Sequence, residues 1–114
     1  MARARELWEA LGAALEKADV ATIVDLYAQD AVYLEPQNPP HETDLLIQAY
    51  LNSWLNARAD IDITTKRLVE TPDGRTCAVE WALSYTAGPR RWKDLPRTSW
   101  IDVDDDLIRY HRDY

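Results

Sequence analysis

The sequence predicts an α+β fold, and three features carry that prediction. Leucines recur every fourth residue at Leu7, Leu11 and Leu15, the spacing of a single helix face, with Trp8 and Ala14 widening the stripe. Past Ala59 the apolar period drops from helical spacing to two, first at Ile61 and Ile63. Turn-forming clusters, Pro72-Asp73-Gly74 and Asp104-Asp105-Asp106, then divide the second half into hairpins. Helices come first and paired strands follow, the order expected of a helical layer against an antiparallel sheet.

Each element follows from its residues. Asp19 reads as the N-cap of a second helix, with Val20, Ile23, Val24 and Tyr27 on one face. Residues 31–35 alternate as a strand, and Pro36 holds Glu35 extended. Gln37-Asn38-Pro39-Pro40 is a loop, carrying on to His41. A third helix starts near Glu42-Thr43-Asp44, where acids suit the positive helix end, and its rows Leu46-Tyr50-Trp54 and Ile47-Leu51-Leu55 form a broad apolar face. Ile61, Ile63 and Thr65 alternate in one strand, and Cys77, Val79, Trp81, Leu83 and Tyr85 in the next. Residues 87–96 read as a long basic connection holding Arg90, Arg91, Trp92 and Lys93. Ser99, Ile101 and Val103 alternate again, and Leu107 to Tyr114 makes a last strand. The expected architecture is three helices interrupted by one strand, followed by a four-strand antiparallel meander, in a single domain over residues 1–114.

Composition narrows the function. Thirteen basic against 20 acidic residues give a net charge of -7, which argues against nucleic acid, where clustered cations must neutralise phosphates. No apolar run approaches the roughly 18 residues of a membrane span. The amino-terminal Met-Ala-Arg-Ala-Arg-Glu lacks the apolar core of a secretion signal. With a single cysteine, Cys77, the expected setting is a reducing cytoplasm. Five Trp and six Tyr with no Phe mean that every benzenoid ring carries a polar handle, as in the wall of a semi-polar ligand cavity.

Strand parity picks out the candidate chemistry. Tyr33 and Glu35 share a face of one strand; His111 and Asp113 share a face of another. If both faces look into one cavity, two carboxylates, an imidazole and a phenol meet there. A carboxylate pinned by proline in an apolar pocket is desolvated, which suits Glu35 to acid–base work near neutral pH. At a rise of about 3.3 Å per residue, His111 and Asp113 lie roughly 7 Å apart along the strand, too far for an ideal direct bond but well placed to flank a substrate. Glu80 faces away from the large apolar residues of its strand and is a reserve acid only. His41 is the one other histidine, so a histidine-rich metal site has little support, and neither metal nor cofactor is expected.

Ala18-Asp19, the run from Leu26 through Gln29-Asp30-Ala31 to Tyr33, and the terminal Arg112-Asp113-Tyr114 together resemble the SnoaL-like branch of the nuclear transport factor 2-like superfamily. The resemblance covers nearly the whole chain. It implies a cone, a strongly bent sheet wrapped around the helices with a pocket inside, and usually a homodimer through the outer sheet face. Glu35 before Pro36 stands where ketosteroid isomerases carry a general-base aspartate, whereas Leu11 and Ser99 stand at the places of their oxyanion donors. Tyr33 and Asp113 match a tyrosine and the terminal aspartate of limonene-type epoxide hydrolases. There Glu35 replaces an asparagine, and Ala78 and Glu80 replace the middle-strand Arg and Asp.

The resulting expectation is a cofactor-independent acid–base enzyme of isomerase, dehydratase or epoxide hydrolase type, acting on a small hydrophobic molecule. Glu35 would be base or water activator, Asp113 and His111 an acid or orienting pair, and Tyr33 a hydrogen-bond donor. Tyr50, Trp54, Trp81 and Ser99 would contact substrate. The rival is a non-catalytic binder of small ligands on the same scaffold.

Overall fold

A computed structural model describes residues 2–114. Helix α1 (Ala4–Glu16) buries Leu7, Trp8, Leu11 and Ala14 of the predicted stripe, with Leu15 partly buried at its end. Its first turn is tied back by Glu6, whose Oε1 accepts from the Arg3 amide at 3.3 Å. Helix α2 (Val20–Val24) is a short turn capped as expected: the Asp19 carboxylate accepts from the Thr22 amide at 3.2 Å and from its hydroxyl at 2.7 Å.

Tyr27 does not lie on the face of α2. It opens strand β1 (Tyr27–Leu34), which starts four residues before the predicted strand and stops short of Glu35. The cause is tertiary. Tyr27 pairs with Ile108 of the last strand, in parallel, before a register shift that brings Tyr33 opposite His111. His41 is likewise in a strand rather than a loop, the two-residue β2 (His41–Glu42) pairing antiparallel with β1. Helix α3 (Asp44–Asn56) is capped by Thr43, whose hydroxyl oxygen accepts from the Leu46 amide at 3.4 Å. Its Ile47-Leu51-Leu55 row is buried as expected, but Leu46, at the head of the other row, is 57% exposed.

The meander is β3 (Ala59–Glu70), β4 (Thr76–Ala87), β5 (Arg90–Asp104) and β6 (Leu107–Asp113). Here too the prediction needs correction: residues 87–96 are the tip of a long hairpin, with β5 beginning at Arg90 after a turn at Gly88, whose φ is +58°. Arg91 fastens that tip to β3 through Asp62 Oδ2 at 2.8 Å and the Asp60 carbonyl. Trp92 carries the Arg90 guanidinium over its ring at 3.9 Å.

All six strands join one sheet in the order β2-β1-β6-β5-β4-β3, with only the β1–β6 pair parallel. Register shifts in every long pairing bend it. It remains an open, bent sheet with the helices against its concave face. The inner side chains of β4 and β5, Cys77, Val79, Trp81, Leu83, Ile101 and Val103, are all buried, and each large one contributes about 1.5–3 kcal/mol by leaving water. Glu80, on the outer face, pairs with Arg67 at 2.9 Å. Among the described residues no helix is long and apolar enough to cross a membrane.

Candidate active site

Pairing of β6 between β1 and β5 assembles a buried polar chain. Tyr33 and Ile101 flank His111, and Ser99 lies opposite Asp113. The Tyr27 hydroxyl meets His111 Nδ1 at 2.8 Å, and His111 Nε2 meets Asp113 Oδ1 at 2.8 Å. Ser99 Oγ donates to the same carboxylate oxygen at 2.5 Å, and Tyr33 donates to Oδ2. Behind Ser99, Trp81 Nε1 donates to its oxygen at 2.9 Å. Two proton arrangements fit these contacts: a neutral imidazole with its hydrogen on Nε2, donating to Asp113 and accepting at Nδ1 from Tyr27, or an imidazolium donating to both.

This corrects the expected spacing of His111 and Asp113. Their side chains share a face and lean together, closing in space what the backbone rise keeps apart. Tyr33 also differs from expectation, since its hydroxyl proton goes to Asp113 and not to the open volume. Ser99, expected on the wall, is fully buried behind Asp113.

The electrostatics follow from these contacts. Burial pushes the Asp113 carboxyl up, but the neighbouring His111 and the hydrogen bonds from His111, Ser99 and Tyr33 outweigh it and hold the group below the usual aspartate value. Burial, then the Asp113 charge, drives the phenols of Tyr27 and Tyr33 well above their ordinary value. Both stay protonated.

Glu35 presents the opposite case. It lies just beyond β1, before Pro36. Tyr50 donates to its Oε2 at a long 3.5 Å, and its Oε1 is buried with no partner in the protein. Asp113 is saturated with donors; Glu35 keeps its lone pairs. Burial and the Glu35 charge push the Tyr50 phenol up to about 12, so it too stays protonated. The His41 ring stacks on Tyr50 at 4.2 Å and fixes its position.

Glu35, Tyr33, His111 and Asp113 all border one cavity of about 490 Å³. Tyr50, Trp54 and Trp81 form part of its wall, and so does Leu11. Sequence reasoning missed Tyr27, Arg58, Tyr85 and Arg97, which also line it. A signal existed for Arg58, which continues the Tyr50-Trp54 row at the same four-residue step. Among the described residues, no three of His, Cys, Asp and Glu converge as a metal ion would require.

A sequence model of the SnoaL-like domain matches residues 8–111. The chain belongs to that family. Solved structures similar to this SnoaL-like domain include a candidate polyketide cyclase of Pseudomonas putida, with a TM-score of 0.89 and 17% identity over 100% of this chain and 92% of that one. A limonene-type epoxide hydrolase-like enzyme of Mycobacterium tuberculosis gives 0.81 and 21% identity over 95% and 78%. A protein of Catenulispora acidiphila with a ketosteroid isomerase-like fold, solved with trimethylamine, gives 0.84 and 15% over 96% and 84%. At these identities the likeness is one of fold. Among curated proteins no sequence matches. Membership of this family fits a general role in binding or transforming small molecules.

Proposed function

We propose that this SnoaL-like domain is an acid–base enzyme acting on a small, largely hydrophobic molecule, with Glu35 as the base or water activator. One observation carries the reading: of the two carboxylates bordering the cavity, Asp113 is engaged by three side chains, whereas Glu35 Oε1 is buried and unengaged. A carboxylate whose lone pairs are already bonded is a poor base, whereas one with an oxygen free of donors can take a proton. Glu35 would take a proton from carbon or from water. Asp113, fixed as an anion by His111, Ser99 and Tyr33, would orient the reacting group and stabilise positive charge beside it. Tyr50, bonded to Glu35, would set the base's position. Isomerisation, dehydration and epoxide opening all begin with such a transfer.

A binding role without catalysis is the second reading. Apolar Leu11 on the wall and Ser99 turned to Asp113 favour it, because neither offers a developing oxyanion a donor. A panel of epoxides, enones and hydroxy-ketones, assayed for turnover and for calorimetric binding together, separates the two. Turnover of any one class supports the enzyme; binding of several with turnover of none supports the binder.

A further inference from the structure

The end of the cavity away from Glu35 and Asp113 carries a cation that the acid–base reading leaves unused. Arg58 follows α3, two helical turns past Tyr50 and one past Trp54 on the same face. Its guanidinium lies 4.2 Å from the Trp54 ring centroid and 4.9 Å from that of Tyr85. Nη1 donates to the Trp54 carbonyl at 3.0 Å, which ends the helix as a basic residue there should. That structural role uses one nitrogen. Nε is buried and has no partner in the protein, and no carboxylate forms an ion pair with the guanidinium among the described residues.

A cation gripped by two aromatic faces is held still and largely stripped of water, a state that favours pairing with an anion. An unmet donor on such a charge is destabilising, and a ligand oxygen would relieve it after a small rotation of the fork. The cavity is also bipolar. Tyr85 lies six residues along β4 from Val79, which pairs with Ser99 opposite Asp113. That is about 20 Å of backbone path along β4, with Tyr50 between, its phenol feeling both the Arg58 charge and those of Glu35 and Asp113. Ligand carboxylate is repelled at the Glu35–Asp113 end and attracted at the other.

We propose that Arg58 is an anion subsite and that the ligand is a small hydrophobic carboxylate, its charged head on Arg58 and its reacting carbon or oxygen toward Glu35. The ligand's orientation rests on the acid–base reading above; the subsite itself does not. Arg97 is the other cation on the wall, but it sits at the middle of the sheet, opposite Trp81, with Nη1 committed to the Pro96 carbonyl at 3.0 Å.

Paired probes test this: 3-(2-naphthyl)propanoate and its primary amide, nearly equal in shape, titrated calorimetrically near neutral pH. The folded protein should prefer the carboxylate by about tenfold or more, the worth of one charge-assisted bond. Arg58→Gln should abolish that preference while still binding the amide, Arg58→Lys should keep part of it, and Arg97→Gln should keep nearly all of it. Equal binding of both probes by the unmodified protein, or binding of neither, overturns the proposal even if Arg58→Gln fails to fold. So does loss of the preference in Arg97→Gln with retention in Arg58→Gln. The readout is a ratio of affinities. A ratio of one alongside measurable, Glu35-dependent turnover sinks the subsite alone, and a high ratio without turnover sinks only the catalytic reading.

Discussion

Removing the Tyr33 hydroxyl isolates the work done by the Asp113 network. In Tyr33→Phe the ring remains, still stacked 4.5 Å from His111 and tilted against Tyr50 at 5.8 Å, so the change is confined to one bond from a phenol to a carboxylate. Hydrogen bonds to charged groups contribute about 1.5–3 kcal/mol, and this one is 6% exposed at its donor, where burial keeps the contribution whole. For a chain of this size each kcal/mol moves Tm by about 4 °C, so a fall of roughly 6–12 °C is expected. The acid limb should also move. Folded Asp113 holds its proton less readily than it does in the unfolded chain. Its network therefore stabilises the fold fully above the unfolded aspartate value of about 3.9, and that contribution is lost as pH falls through the lower folded value. Without Tyr33 the folded carboxyl protonates more readily, so the acid-dependent loss still begins near the unfolded value but is smaller and ends at higher pH. Urea unfolding of both proteins across the acid range measures both effects. An unchanged midpoint together with an unmoved acid limb would refute the network as drawn.

Two further outcomes concern the sheet. Burial, and next the charge of Glu70, push the Cys77 thiol up to about 11, so an aromatic disulfide reagent at mildly alkaline pH should leave the native protein unlabelled and label it fully in denaturant; rapid native labelling would contradict the packing of β4. A second copy is expected to cover the outer face of β4 and β5, where Trp100 is 40% exposed and stands in register with Ala78 and Arg112. Sedimentation at roughly tens of micromolar should then show a dimer, and monomer alone would speak against it.

What the sequence made legible was what periodicity encodes. Alternation along the last strand put His111 and Asp113 on one face, because side chains two apart on a strand share a face; Glu35 lies beyond β1, and it borders the same cavity as Tyr33 without strand parity placing it there. The hairpin at Gly74, the cap at Asp19 and the start of the third helix near Thr43 were legible from local turn and capping chemistry. Pairing between distant segments was not. Tyr27 has helical spacing from Ile23 and Val24, yet its parallel partner in β6 draws it into the sheet, and with it the phenol that supports His111. The β4–β5 tip looked like a loop because Arg90, Arg91 and Lys93 mask the alternation, while Arg91 in fact ties the hairpin to β3. Ser99 illustrates a different limit. Parity put it on the inner face correctly, but only the three-dimensional pairing shows Asp113 covering it.

The most direct test of Glu35 as the base is Glu35→Gln, assayed for turnover and calorimetric affinity with the same substrate. The amide keeps the shape and an oxygen for Tyr50 but lacks the basic lone pair. Turnover should fall by about 100- to 10,000-fold, the usual contribution of a positioned base, while affinity shifts by less than about tenfold, one neutral contact's worth. Full activity in Glu35→Gln, with binding intact, would place the base elsewhere and contradict the account.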